Sequence, residues 1–168
     1  MIVMGLPGPS IGVAVTSEHS YTITLHNNRT EKAAVDYLLA ADRRFWVPKP
    51  QSRKHILREL GADSKLSRAF DLVLVDEGVS AESELLVADV EGITLVELKT
   101  TRKQLPHLPR GFFFGATQNE FDLAAALGDR YKFCFVCLHP ETSGFVMLTL
   151  SELEPLIRTK RMQYQINL

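Results

Sequence analysis

At 168 residues the chain is large enough to bury one hydrophobic core, and residues 1–168 are read as a single domain. Hydrophobic residues make up 45% and charged residues 23%, an ordinary balance for a globular protein. The formal net charge of −1 excludes strong whole-molecule attraction to a polyanion, so any such partner must meet a local basic face.

The opening segment from Met1 to Pro9 is apolar, but it lacks a basic flank and is broken by Pro7, Gly8 and Pro9, unlike a signal peptide. No apolar run approaches the roughly 20 residues of a membrane helix. The expectation is a cytoplasmic protein without a membrane partner. Residues 11–26 carry β-branched and aromatic residues on either side of the polar break Glu18-His19-Ser20, which predicts an N-terminal β-hairpin. Ala34, Leu38 and Ala41 recur at helical spacing and predict a helix from Glu31 to Ala41. A short strand is expected from Arg43 to Val47, closed by Pro48 and Pro50. Ser52 then suits the N-cap of a helix that Gly61 terminates.

Three strands are predicted next, at Phe70–Val75, Glu84–Asp89 and Ile93–Lys99. An acidic loop from Asp76 to Ser83 separates the first two, and Val90-Glu91-Gly92 turns between the others. Thr117 and Glu120 have the spacing of a capping box, opening a helix that stops at Gly128. Strands at Tyr131–Leu138 and Phe145–Leu150 follow, and a second capping box, Ser151 to Glu154, begins a short C-terminal helix. Adjacent strands favour hairpins and a crossover helix permits parallel pairing, so the class is α/β with a mixed sheet flanked by helices. Cys134 and Cys137 form a lone C-x-x-C without a second ligand pair. Their odd separation on a strand puts them on opposite faces, as core thiols.

The chemistry gathers at the end of the strand Ile93–Lys99. Residues two apart on a strand share a face, so Glu97 and Lys99 project side by side after a run apolar enough to be buried. A buried acid and amine need partners. Asp71 lies just inside another strand, and an Asp and a Glu on nearby strands can jointly hold Mg²⁺, a hard cation that takes oxygen ligands and keeps waters. Such an ion lowers the pKa of its water and polarises a phosphoryl oxygen. Lys99 beside it suits charge building on a phosphate.

Asp71 followed by Glu97-Leu98-Lys99 resembles the signature of the PD-(D/E)xK nuclease superfamily, whose core runs helix, three strands, helix, strand. Residues 93–138 resemble more closely the nuclease-like C-terminal domain of plant NO VEIN proteins and its bacterial relatives. There E-V-K-T-T, T-x-N-E and G-D-R-Y occur in order. Here Glu97-Leu98-Lys99-Thr100-Thr101, Thr117-Gln118-Asn119-Glu120 and Gly128-Asp129-Arg130-Tyr131 correspond, over about a third of the chain.

The resemblance implies a restriction-endonuclease-like mixed sheet and a Mg²⁺-dependent phosphodiesterase, with Mn²⁺ as substitute. It implies DNA as partner, with RNA fitting the same chemistry, and either a monomer or a homodimer. Asp71 and Glu97 would hold the metal and Lys99 would serve catalysis. Glu31 corresponds to an additional acid in some members, although a first-turn acid also suits a helix dipole. Gln118 resembles a glutamine used near the scissile phosphate. Two departures stand out: Phe70 replaces the proline before Asp71, and 26 positions separate Asp71 from Glu97. Glu84 is therefore the alternative first acid, and Asp89 a third candidate beside a turn; Asp71 is preferred. Arg102, Lys103 and Arg110 in the following loop are expected to meet phosphates. Arg53, Lys54 and Arg58 form a second basic patch, and Arg158, Lys160 and Arg161 a third. Phe112, Phe113 and Phe114 are read as core, with one ring available to stack on a base. The alternative function is a nuclease-fold module without chemistry that binds nucleic acid or a protein partner.

Overall fold

A computed structural model of the protein describes residues 17–161, with side chains from residue 29 onward. Helix α1 (Ser17–Ala41) leads through β1 (Phe45–Trp46) to α2 (Pro50–Glu59), a 3₁₀ turn (Ser64–Leu66) and β2 (Leu72–Val75). Helix α3 (Glu82–Val87) and a 3₁₀ turn (Val90–Gly92) precede β3 (Ile93–Thr101). Then come α4 (Gln118–Leu127), β4 (Tyr131–Cys137), β5 (Gly144–Leu148) and α5 (Leu150–Leu153).

The strands form one five-stranded sheet in the order β1-β2-β3-β4-β5. Only β3 and β4 run parallel, because α4 carries the chain back between them; the other pairs are antiparallel. This is the mixed α/β sheet expected from the sequence. Alternation along β3 divides the core in two. Val96 and Leu98 join Leu72, Leu74, Cys134 and Val136 beneath Ala34 and Leu38 of α1. Leu95 joins Val73, Tyr131, Phe133 and Phe135 beneath α2, α4 and α5, represented by Ile56, Leu57, Leu123 and Leu153. Each fully buried Leu or Phe contributes about 1.5–3 kcal/mol, so both layers hold β3 at the centre.

Several expectations are corrected. Tyr21–His26, read as the second strand of a hairpin, is helical within α1, and Ile11–Thr16 lies outside the described residues. Helix propagation adds a hydrogen bond per residue once a packed turn exists, and β-branched residues oppose it only weakly. Ser52 does not cap α2: Lys49 holds that position without a side-chain bond, and Pro50 opens the helix. Gly61, at φ 73°, does end it, in a Schellman closure where Ala62 N–H donates to the Leu57 carbonyl.

Glu84–Asp89 is not a strand. Both edges of β2 are taken by β1 and β3, so the segment folds outside the sheet as α3, with Glu82 and Glu84 in its first turn and Leu85 buried. The C-terminal capping box is Thr149 with Glu152, two residues before the expected one. Cys134 and Cys137 are buried free thiols, and burial pushes Cys134 up to about 12. Among the described residues, no helix is long and apolar enough to cross a membrane.

Candidate active site at the end of the central strand

Glu97 and Lys99 stand side by side on the α4 face of β3, yet both remain inside the protein, 6% and 8% exposed. Lys99 Nζ donates to Glu97 Oε1 at 2.7 Å and to Glu120 Oε2 at 2.7 Å. Glu120, 6% exposed, comes from the first turn of α4. Thr117 accepts from the Glu120 amide as a capping box requires. The reciprocal bond is missing: the Glu120 carboxylate turns inward to Lys99 and takes the Thr117 hydroxyl instead. Sequence reasoning explains Glu120 as a helix cap and misses it as a partner of Lys99. The available signal is its position opposite the end of a strand whose lysine needs a second acid.

Asp71 precedes β2. The registered pairing of β2 with β3 ends at Leu72 and Val96, and two bonds hold Asp71 against the residues on either side of Glu97. The Asp71 amide donates to the Val96 carbonyl, and Asp71 Oδ2 accepts from the Leu98 amide at 2.8 Å. The backbone around it is pinned from outside the sheet. Arg53 of α2 forks onto the carbonyls of Phe70 (2.8 Å) and Asp71 (2.9 Å), and its guanidinium lies over the Phe70 ring. Tyr131, fully buried, donates its hydroxyl to the preceding carbonyl of Ala69. The carbonyls of Ala69, Phe70 and Asp71 are therefore all held by side chains remote in sequence. The separation of Asp71 from Glu97 now has a cause: α3 and its flanking loops are inserted between two strands that still pair directly.

Burial, then the charge of Asp71, pushes Glu97 up from an ordinary 4.5 to about 8, against the pull of Lys99. Lys99 is raised despite its burial, because the carboxylates of Glu97 and Glu120 outweigh desolvation. Tyr131 is raised by burial and by the surrounding acids, so it stays a neutral donor. Glu31 sits exposed on α1, yet its carboxyl is raised by partial burial and then by Asp71, with Lys99 and Arg53 opposing. It therefore feels the same charges, across the end of β3.

The remaining candidates lie apart. Gln118 is exposed and donates to Asp122 one turn along α4. Glu84 is exposed on α3 and accepts from the Ser80 amide, and Asp89 caps the 3₁₀ turn before β3. Arg102, Lys103 and Arg110 are exposed in the loop after β3, where Arg102 donates to Thr30 of α1. Lys160 lies over the Phe121 ring. Phe112 and Phe114 pack edge-on against Phe135, whereas Phe113 is 94% exposed.

Among the described residues, no three His, Cys, Asp or Glu side chains converge as a ready-made metal cage. Two carboxylates suffice for Mg²⁺, which keeps most of its waters and borrows substrate oxygens. Asp71 Oδ1 and Glu97 Oε2 receive no hydrogen bond from the described residues. A buried acid raised by a second acid beside it is the electrostatic setting that a divalent cation relieves. The donor set fits such an ion. Comparison with protein-family models, with curated proteins and with solved structures returned no match for this chain.

Proposed function

We propose that the protein is a Mg²⁺-dependent phosphodiesterase that cleaves DNA, built on a PD-(D/E)xK-type site. The observation that carries the reading is the placement of Asp71 beside Glu97, bonded to the backbone on either side of it, with the Lys99 ammonium bonded to Glu97. Asp71 and Glu97 would hold the ion through oxygens that no protein donor occupies among the described residues. Mg²⁺ bound there supplies an activated water and polarises the phosphoryl oxygen. Lys99 has three N–H donors and directs two at Glu97 and Glu120, which leaves one for a phosphate oxygen that gains charge in the transition state. Glu120 fixes the direction of that donor and keeps the amine charged. The exposed Arg102, Lys103 and Arg110, with the bare Phe113 ring in the same loop, suit contacts to phosphates and to a base.

Purified protein should nick supercoiled plasmid in Mg²⁺ or Mn²⁺ and stop when a chelator is added, while Lys99→Ala leaves the plasmid intact. A parent chain inert with both metals, or a Lys99→Ala variant as active as the parent, sinks the reading. One observation favours the second reading, a nuclease-fold module without chemistry: Glu97, Lys99 and Glu120 already satisfy one another as a closed ion cluster. Such a module would shift DNA without cutting it, and Glu97→Ala would leave that binding intact.

A further inference from the structure

A groove of about 700 Å³ opens between the start of α2 and the 3₁₀ turn Ser64–Leu66. Arg53, Lys54, Lys65 and Arg68 line it together with Ser64 and Ser67, and no carboxylate does. In a chain of net charge −1, four cations facing one space is a local segregation of charge. Among the described residues, Lys54, Lys65 and Arg68 have no carboxylate within ion-pairing distance, and the Ser64 and Ser67 hydroxyls make no hydrogen bond. These donors are open to a ligand.

The frame is stiff. The Gly61 closure of α2 and the Asp63 cap, which accepts from the Lys65 amide at 2.9 Å, fix the turn against the helix. Arg53 differs from the other three. It is engaged with the carbonyls of Pro48, Phe70 and Asp71, so one wall of the groove is also the clamp on Asp71. A row of exposed cations spread along a groove, with hydroxyls between them, suits a chain of phosphates better than a single anion.

We infer that this groove holds the phosphate backbone of the nucleic acid beside the phosphate presented to Asp71 and Glu97. The choice of nucleic acid as the polyanion rests on the nuclease reading of Asp71, Glu97 and Lys99. The strand's phosphates would lie along Lys54, Lys65 and Arg68 and reach the Asp71 end of β2 past Arg53.

The test is fluorescence anisotropy with a labelled DNA duplex in chelator, where no cutting occurs, at several salt concentrations. The triple variant Lys54→Gln, Lys65→Gln, Arg68→Gln should bind about tenfold or more weakly. Its log–log salt slope should be shallower by about 2–3, since each phosphate left without its cation removes near 0.9 from the slope. The charge-preserving triple variant Lys54→Arg, Lys65→Arg, Arg68→Lys should bind as the parent does, which separates lost charge from lost folding. Unchanged affinity and slope in the glutamine variant overturn the inference, and so does a parent chain that does not bind the duplex. Binding that depends on the groove in a chain that cuts nothing upholds the groove and sinks the nuclease reading. Cutting with groove-independent binding does the reverse.

Discussion

Lys99 joins two buried acids, and its removal leaves both without a cation in a place where an unpaired charge is strongly disfavoured. A Lys99→Met variant should lose about 3–5 kcal/mol of stability, the usual cost of breaking a buried pair from one side. The loss should be smaller near pH 6, where Glu97 takes up a proton instead. At pH 9, where Glu97 is ionised, Glu120→Gln keeps an acceptor for Lys99 and leaves its pair with Glu97, so it should change stability by no more than about 1 kcal/mol. Urea unfolding of both variants at pH 6 and pH 9 measures this, and equal losses in the two variants at pH 9 would contradict the bridging role of Lys99. Glu97 adds a second dependence on pH. Its folded pKa, about 8, exceeds the ordinary 4.5, so between those values the folded chain binds more protons than the unfolded one. Stability therefore falls as pH rises through that window and levels off above it. Mg²⁺ needs the ionised carboxylate and must displace that proton. The rise in melting temperature caused by Mg²⁺ should grow from pH 6 to about 8 and then flatten, and Glu97→Gln should remove the growth. A shift of equal size at every pH would show that Glu97 does not face the ion.

At the scale of elements, the way Asp71 is held decides whether two strands make a site. Arg53 reaches it from α2 with a planar fork onto two carbonyls, a geometry that lysine cannot reproduce. Arg53→Lys keeps the charge and should still cost roughly 1–3 kcal/mol, the worth of hydrogen bonds to a charged donor. It should also raise the Mg²⁺ concentration needed for half-maximal thermal stabilisation, because Asp71 is no longer fixed. If that concentration is unchanged while stability drops, Arg53 serves α2 packing alone. The sequence shows why such supports escape notice. Glu97-x-Lys99 is legible because strand periodicity places both side chains on one face. Arg53 and Tyr131 act through backbone carbonyls at sequence separations of 17 and 62, and no spacing rule reports that. The misread strand at Glu84–Asp89 has a similar origin. Its β-branched and apolar residues suit a sheet, but β2 has no free edge to receive them, and only the assembled sheet reveals this. The sequence favours Asp71 over Glu84, and α3 supplies the physical reason that Glu84 never reaches the sheet.

For the whole molecule, the sequence conveys the mixed sheet because its cues are local: β-branched runs, Thr117 ahead of α4, and Gly61 and Gly128 after helices. The long reach of α1 is not legible, since Tyr21–His26 has strand composition within a helix. The assembled layers predict where stability lies. β3 and β4 pair in parallel at the centre, covered on one side by α1 and on the other by α2, α4 and α5. β5 is only half-buried along its whole length, and β1 contributes two residues. Amides of Leu95–Lys99 and Phe133–Val136 should therefore exchange with solvent only on global unfolding, while those of β5 exchange through local opening. The ionisable cluster rides on the most protected strand, so the burial of Glu97, Lys99 and Glu120 weighs on global stability. Native-state hydrogen exchange at increasing denaturant resolves the two groups. In Lys99→Met the β3 and β4 amides should lose protection together and by the same free energy. A loss confined to α4 would mean that the cluster fastens that helix locally and does not tie it to the centre of the sheet.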